Sequence, residues 1–158
     1  MINEVKIFAH RGASGDAFEN SFKAFNKAIK QKADGIEIDV QCSKDGKLFV
    51  FHDLNLSRLV GINRFFYDCT YEELKNFPLG RTFMRRFSNL RIPPIEEFMD
   101  WVQLNPIPIN IELKESLLKH PDELITWLID LELPLGSHFS SFYDELLQIV
   151  KQVRPEFE

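Results

Sequence analysis

The sequence contains little cysteine and no long apolar run. Only two of its 158 residues are cysteines, and the spacing of Cys42 and Cys69 fits neither a metal-binding nor a redox motif. Residues 1–9 pass almost at once into a strand-like run, so we expect neither a signal peptide nor a transmembrane segment. With 44% hydrophobic and 27% charged residues, the composition is that of a globular domain. We predict one domain over residues 1–158, in the reducing cytoplasm.

Positive charge is also scarce. Against 24 acidic residues there are 19 lysines and arginines, which gives a net charge of −5. This balance argues against a nucleic-acid partner and against an anionic membrane, because both usually require a basic face. One local basic cluster exists, at Arg81, Arg85, Arg86 and Arg91, and we interpret it as a solvated surface.

Strand-like and helix-like segments alternate along the chain. Amphipathic helices are expected to begin near Phe22, Pro94 and Pro121, and Leu146, Val150 and Val153 mark a final one. A capping box formed by Thr70 and Glu73 indicates a short helix over residues 70–76. The predicted strands between them cover residues 5–9, 36–40, 107–113 and 136–140. This alternation predicts an α/β architecture around a mostly parallel sheet.

Two of the predicted strands carry acids where a buried strand should be apolar. Glu37 and Asp39 alternate with aliphatic residues, and Asn110, Glu112 and Lys114 repeat this arrangement on a later strand. Alternate residues share one face of a strand, so each strand has one apolar and one polar face. Strands covered by helices on both sides are normally almost entirely apolar. These acids must therefore face a wet or charged place, such as the mouth of a barrel.

A hairpin is predicted at Asp45-Gly46, between two apolar segments. If these residues form a two-residue turn, Asp39 lies opposite His52, about 5 Å away and on the face that carries Glu37. If the connection is longer, His52 still ends its strand close to Asp39, but the two residues are not paired.

The acids Glu37, Asp39 and Glu112 would form a cluster of oxygen ligands. Like charges held together raise one another's pKa values, and a divalent cation relieves their repulsion. Ligands that are all oxygen favour Mg²⁺ or Ca²⁺ over zinc. The alternative is a pair of amphipathic strands whose acids face solvent or pair with Lys6 and Lys114.

Two histidines, His10 and His52, each end a predicted strand beside this cluster. Imidazoles titrate near neutral pH and suit general acid–base catalysis. Arg11 offers a planar guanidinium of the kind that binds phosphate, and Lys114 adds a positive charge next to Glu112. Together with a metal ion, these groups could stabilise charge on a phosphoryl group.

An ordered set of motifs resembles the glycerophosphodiester phosphodiesterase family. Each motif alone is weak, but the ordered combination is specific, and the resemblance runs from about Phe8 to Phe142. In chain order the motifs are His10-Arg11-Gly12, Glu19-Asn20-Ser21, Gly35-Ile36-Glu37-Ile38-Asp39-Val40, Lys44-Asp45-Gly46, His52-Asp53 and Ile111-Glu112-Leu113-Lys114.

This resemblance implies a TIM-type (β/α)₈ barrel and hydrolysis of glycerophosphodiesters to glycerol 3-phosphate and an alcohol. It implies a divalent cation, Mg²⁺ or Ca²⁺, on Glu37, Asp39 and Glu112. It also implies that His10 and His52 are the acid–base pair.

The resemblance further implies that Arg11 and Lys114 bind the substrate phosphate, with Glu19 and Asn20 in support. The loosely patterned residues 53–91 resemble the small insertion that this family carries on its barrel, where it shapes the pocket for the glycerol end of the substrate.

The sequence departs from the family in two respects. Phe18 stands where the family usually has a proline. In addition, a complete barrel has eight strands and about 250 residues, whereas this sequence has 158 residues and roughly five predicted strands. We therefore expect a barrel truncated to its first five strands, with open sheet edges that favour self-association.

Two other functions are compatible with these motifs. A phospholipase D-like enzyme of the same superfamily, acting on sphingomyelin or lysophospholipid, would share the histidines and the acid pair. Such relatives are often secreted and stabilised by disulfides, which the two cysteines do not suggest. A truncated, catalytically silent remnant would keep the motifs without a working pocket.

Overall fold

The computed structural model describes residues 5–80 and 82–157, in which strands and helices alternate as the sequence predicted. Its strands are β1 (Phe8–His10), β2 (Gly35–Cys42), β3 (Leu48–Val50), β4 (Ile109–Leu113) and β5 (His138–Ser141). Its helices are α1 (Phe22–Lys30), α2 (Tyr71–Asn76), α3 (Ile95–Leu104), α4 (Pro121–Ile129) and α5 (Asp144–Val153), and shorter 3₁₀ turns cover Phe66–Asp68, Thr82–Phe87 and Glu115–Lys119. Within the described ranges, none of these helices has the length and apolarity needed to cross a bilayer.

Some of the sequence predictions extend beyond the described residues. The predicted domain includes residues 1–4 and 158, and the basic cluster includes Arg81; these positions lie outside the part of the chain that the structure describes. All other predicted elements lie inside it.

Four strands form a parallel sheet in the order β1, β2, β4, β5, and β3 pairs antiparallel with β2. The first strand is shorter than predicted, because it begins at Phe8 rather than at Val5. Phe8 pairs with Gly35, the first residue of β2, so residues 5–7 have no strand beside them. Val5 and Ile7 accordingly remain 84% and 67% exposed.

The main core lies between one face of this sheet and helices α1, α3, α4 and α5. Aromatic rings fill the space beside β2: Phe25 of α1 packs edge-to-face on Phe98 of α3, and Trp101 lies 5.5 Å from Phe25. The apolar faces of β2 and β4 supply the floor of this core, with Ile36, Ile38, Val40, Ile109, Ile111 and Leu113, all fully buried. Packing of the helices on this face leaves the opposite face of β2 and β4 to the polar residues.

The hairpin between β2 and β3 has a three-residue loop where a two-residue turn was predicted. Ser43 donates its backbone N–H to the carbonyl oxygen of Lys47 over 2.8 Å, which leaves Lys44, Asp45 and Gly46 in the loop. Gly46 has a φ of 77°, the left-handed conformation that such a loop needs at its last residue. The extra residue shifts the pairing of the two strands by one position.

This shift makes the predicted pairing of Asp39 with His52 wrong. Phe51 lies opposite Asp39 instead, and its backbone N–H donates to the Asp39 carbonyl oxygen over 2.9 Å. His52 follows the strand, as the longer connection considered for this hairpin allowed. Its relation to the acids depends on side-chain contacts rather than on strand pairing.

A second, smaller core lies within the stretch proposed as an insertion, residues 53–91. Phe66, Leu74 and Leu79 are buried there against Phe49 and Phe51, which project from β3 and its extension. Helix α2 in this region has the predicted capping box. The stretch is therefore packed around its own apolar cluster, while its bounds as an insertion stay a prediction.

The capping box of α2 gives a direct test of this region. The Thr70 hydroxyl accepts a hydrogen bond from the backbone N–H of Glu73, so we expect Thr70→Ala to lower the free energy of unfolding by about 1 kcal/mol. Thr70→Ser keeps the hydroxyl and should retain most of this stability. Urea denaturation of the three proteins measures the difference, and equal losses in both variants would contradict a capping role.

Candidate active site

The parallel register places the predicted carboxylates together at one end of the sheet. His10 of β1 pairs with Glu37 of β2, and Asp39 of β2 pairs with Glu112 of β4. Paired residues of neighbouring strands point to the same face, here the face opposite the main core. Oxygen atoms of Glu37, Asp39 and Glu112 lie within 4.8 Å of one another. The structure thus brings together all three acids that the sequence analysis selected.

Burial makes this cluster electrostatically unfavourable. Asp39 is fully buried and Glu37 is nearly so. Burial raises the pKa of Glu37 to about 7, the charges of Asp39 and Glu112 add to this rise, and a hydrogen bond from the Arg11 backbone opposes it. Atom Oε1 of Glu37 has no hydrogen-bond partner among the described residues. The cluster contains more negative charge than its surroundings neutralise.

Two basic side chains face the acids from opposite sides. Arg11 Nε lies 3.2 Å from Asp39 Oδ2, and the Arg11 backbone N–H donates to Glu37 Oε2 over 2.8 Å. Lys114 Nζ lies 2.9 Å from Asp39 Oδ1 and also contacts Glu112 Oε1. The pKa of Lys114 is raised overall, so the ammonium keeps its charge. Burial lowers this pKa, but the Asp39 charge and the bonds to both carboxylates together outweigh burial.

The loop after β1 holds Arg11 through an unusual backbone. Arg11 and Asn20 have φ angles of 55° and 51°, which non-glycine residues seldom adopt and which cluster at functional sites. The backbone N–H of Asn20 donates to the Arg11 carbonyl oxygen over 3.0 Å, and its side-chain amide donates to Asp39 Oδ2 over 2.9 Å. Gly12, with a φ of 76°, lets this loop pass α1, since a Cβ there would lie 2.7 Å from the backbone of Ala24.

A chain of ion pairs connects the acids to His52. Glu19 accepts from Arg11 Nη1 over 3.0 Å and from Arg58 Nη1 and Nη2 over 2.7 and 2.8 Å. Arg58 also binds both carboxylate oxygens of Asp53, and Asp53 Oδ1 lies 2.8 Å from His52 Nδ1. The pKa of Asp53 is lowered overall, to about 2. Burial raises this pKa, but the bonds from His52 and Arg58 together outweigh burial.

Arg58 was not identified from the sequence, and neither was the role of Asp53 as the partner of His52. Arg58 meets Glu19 across 39 positions in the chain, a separation for which no local pattern exists. Asp53 could have been found, because a carboxylate next to a candidate catalytic histidine is a usual orienting group.

The two histidines take different positions around the acids. His10 Nε2 lies 3.8 Å from Glu37 Oε2, and its side chain is 64% exposed. His52 is more enclosed, and it lines a cavity of about 530 Å³ together with Arg58, Lys114 and Tyr143. His10 therefore borders the cluster directly, whereas His52 is connected to it through the Asp53–Arg58–Glu19 ion pairs and shares a cavity with Lys114.

The donor set fits a hard divalent cation. Three carboxylates from two strands converge within one coordination shell, and Glu37 offers an oxygen that no described group satisfies. The set contains only oxygen, as Mg²⁺ and Ca²⁺ prefer. The roles of Glu37, Asp39 and Glu112 as ligands remain a prediction that this geometry supports.

The raised pKa of Glu37 predicts a pH dependence of stability in the cation-free protein. Since folding raises the pKa from 4.5 to about 7, the folded chain retains a proton that the unfolded chain releases. The free energy of unfolding should therefore fall as the pH rises through this interval, by up to roughly 3 kcal/mol. Glu37→Gln should abolish the fall, whereas the exposed Glu132→Gln should behave like the wild type.

Added Mg²⁺ or Ca²⁺ separates a ligand role from mere burial of charge. At about pH 8, where Glu37 is ionised, either ion should raise the thermal midpoint of the wild type and of Glu132→Gln. The midpoint of Glu37→Gln should respond much less. An equal response of all three proteins would show that Glu37 is not a ligand.

Comparisons with known proteins show which family this chain resembles. A glycerophosphodiester phosphodiesterase of Bacillus altitudinis is 44% identical over 117 residues, which cover 73% of this chain and 48% of that protein. A human lysophospholipase D is 34% identical over 128 residues, 76% of this chain and 40% of that protein. This chain therefore spans about half the length of such relatives, or less.

A solved structure shows that the similarity extends to the fold. A phosphodiesterase of Oleispira antarctica, in complex with the product sn-glycerol-3-phosphate, superposes with a TM-score of 0.81 at 31% identity, over 97% of this chain and 64% of that one. The sheet thus has the TIM-barrel-type architecture that was predicted. The model of the glycerophosphoryl diester phosphodiesterase family matches residues 10–133, which contain every predicted site residue. The chain belongs to the glycerophosphoryl diester phosphodiesterase family.

Proposed function

We propose that this chain hydrolyses glycerophosphodiesters to glycerol 3-phosphate and an alcohol, in a reaction that depends on a divalent cation. The observation that carries the proposal is the convergence of Glu37, Asp39 and Glu112 within 4.8 Å, with Arg11 and Lys114 in contact with the central Asp39. Family membership and the glycerol 3-phosphate bound to the Oleispira antarctica enzyme support the choice of substrate.

The proposed cation is Mg²⁺ or Ca²⁺, held by Glu37, Asp39 and Glu112. When bound, such an ion supplies positive charge that stabilises the negative charge developing on the phosphoryl oxygens. The protein's own contribution is to fix three carboxylates on adjacent strands, where the sheet rather than a flexible loop sets their spacing.

Arg11 and Lys114 are the proposed phosphate-binding groups. Both lie at the border of the carboxylate cluster, and both contact Asp39. Their ion pairs hold the side chains in place before substrate arrives, which lowers the entropic cost of binding a phosphate. Glu19 and Asn20 support them, since Glu19 accepts from Arg11 Nη1 and Asn20 donates to the same Asp39 oxygen that Arg11 approaches.

His52 and His10 are the proposed acid–base pair. Because the Asp53 carboxylate is ionised, it can only accept, so the Nδ1–H of His52 donates a hydrogen bond to it. This leaves Nε2 of His52 free to exchange a proton at the substrate. Asp53 is in turn fixed by Arg58, so the imidazole ring has a defined orientation. One imidazole would take the proton of the nucleophile, while the other would protonate the leaving alkoxide.

Three further features belong to this proposal. Residues 53–91 would act as an insertion that shapes the pocket for the glycerol end, and this stretch contributes Asp53 and Arg58 to the walls of the His52 cavity.

A cytoplasmic location is supported by two cysteines that are both buried and unpaired. Self-association through β1 or β5 is supported by their position at the edges of the described sheet.

A second candidate function is a lysophospholipase D, supported by the human relative of that name. The bond broken would be the same phosphate ester bond, and only the group on the glycerol side would differ. Choline release from glycerophosphocholine and from lysophosphatidylcholine therefore compares the two functions with one detected product.

We expect choline release from glycerophosphocholine to exceed release from lysophosphatidylcholine, and to need Mg²⁺ or Ca²⁺. EDTA should abolish the activity, and added cation should restore it, because the three carboxylates cannot polarise the phosphate alone. Activity that survives chelation would contradict the metal role. Faster cleavage of the lysophospholipid would favour the second candidate, and a folded protein without either activity would indicate a silent remnant.

Replacing His52 with alanine tests the acid–base role separately from metal binding. We expect His52→Ala to lower kcat by about 10²- to 10⁴-fold, the usual contribution of general acid–base catalysis. Cation affinity measured by calorimetry should change little, because the bond of His52 is to Asp53 and not to Glu37, Asp39 or Glu112 in the described part of the chain. His120→Ala is the matched control and should keep wild-type turnover. Comparable losses in both variants would remove the reason to assign His52 to catalysis.

A further inference from the structure

Residues 77–95 differ in charge from the rest of the chain. They include four arginines and no aspartate or glutamate, whereas the whole chain has a net charge of −5. One of the four, Arg81, lies outside the described residues. Arg86 and Arg91 are exposed and Arg85 is half-buried, and none of these three forms an ion pair with a carboxylate of the described chain.

Two phenylalanines of this stretch hold their rings in solvent. Phe83 and Phe87, four positions apart, are 66% and 72% exposed, and their ring centroids lie 5.5 Å apart in an edge-to-face contact. Leu79 and Ile92, which flank them in sequence, are instead buried in the smaller core. The stretch therefore has aliphatic anchors that face inward and an aromatic pair that faces outward.

The exposed pair stands on a turn that is tied to the candidate active site. Arg85 Nε donates to the carbonyl oxygens of Leu59 and Gly80, each over 3.1 Å, and Gly80 donates its backbone N–H to Leu59. The residue before Leu59 is Arg58, which binds the carboxylate of Asp53 beside the catalytic candidate. The turn that carries the aromatic pair is thus bonded to Leu59, the neighbour of Arg58, which lines the His52 cavity.

We propose that Phe83, Phe87, Arg86 and Arg91 form a docking surface for an anionic lipid bilayer. Exposed aromatic rings beside basic side chains are the composition of segments that lie in the interface of anionic membranes. A polyanion without an apolar part, such as heparin, would pair with the arginines but would leave the two rings without an apolar environment. This proposal is independent of the hydrolytic reaction, and it replaces the interpretation of the arginine cluster as a solvated surface.

The negative charge of the remaining surface gives the docking a direction. A chain with a net charge of −5 is repelled by anionic lipid except where its own charge is locally positive. Because residues 77–95 contain no acid, the bilayer should approach this side of the molecule. The net negative charge and the basic docking surface are therefore compatible.

Sedimentation with vesicles tests the docking surface. We expect the protein to bind vesicles of equimolar phosphatidylglycerol and phosphatidylcholine about tenfold or more tightly than vesicles of phosphatidylcholine alone, since each arginine contributes about fivefold at an anionic surface. Rising salt should weaken the binding. The double variant Arg86→Gln/Arg91→Gln should lose about 25-fold in affinity, whereas Lys30→Gln/Lys151→Gln, also at exposed positions, should not.

The aromatic half of the surface has its own controls. The double variant Phe83→Ser/Phe87→Ser should lose about tenfold or more in affinity, because two rings no longer enter the interface. Leu104→Ser/Ile129→Ser removes two other side chains, 82% and 62% exposed, and should bind like the wild type. In addition, brominated phospholipid should quench the added indole of Phe87→Trp and spare that of Leu104→Trp.

Several results would overturn the proposal. These are no association with the mixed vesicles, equal association with phosphatidylcholine alone, or equal losses in the Phe83/Phe87 and Leu104/Ile129 variants. A general polyanion site would be shown by a different combination of results. The arginine variant would lose heparin binding, while the phenylalanine variant would bind lipid as tightly as the wild type. All variants alter exposed side chains, and far-UV circular dichroism with thermal melting reports their folding.

Discussion

Asp39 is fully buried with its charge between two other carboxylates, and the rest of the site is arranged around that charge. Arg11 and Asn20 approach one of its oxygens, while Lys114 approaches the other. Burying a charge is costly unless such partners accompany it. These contacts explain why the loop after β1 adopts left-handed backbone at two non-glycine residues. They also leave Glu37 incompletely neutralised, which is the condition that a divalent cation would relieve.

Ion pairs extend from this centre to the proposed insertion. Glu19 links Arg11 to Arg58, and Arg58 links Glu19 to Asp53, so each charge has a partner of opposite sign. The bonds to both carboxylates raise the pKa of Arg58, so it stays charged. One consequence is that the orientation of His52 depends on residues from two separate parts of the chain.

The elements that could be predicted are those whose signals are local in sequence. The alternation of acids and aliphatics in β2 and β4 follows from the two-residue period of a strand, and it correctly placed Glu37, Asp39 and Glu112 on one face. The capping box of α2 was equally local. The parallel direction of the strands followed from the α/β pattern rather than from any single residue.

The predictions that failed depended on geometry that the sequence does not encode locally. Asp45-Gly46 is compatible with loops of two or three residues, and a one-residue difference moved Phe51 opposite Asp39 in place of His52. The strand predicted from residue 5 begins only at Phe8, opposite Gly35, where its partner β2 begins. Arg58 joins the site across 39 positions, through contacts that form only in the folded chain.

The central claim is that the three carboxylates form one cation site. A crystal structure of the protein grown with Mn²⁺, which suits the same oxygen ligands as Mg²⁺, would test it most directly through the anomalous signal of the metal. We expect a single strong peak about 2.1 Å from oxygens of Glu37, Asp39 and Glu112. A well-ordered site without such a peak, or a metal bound elsewhere while Lys114 alone bridges the acids, would contradict the account.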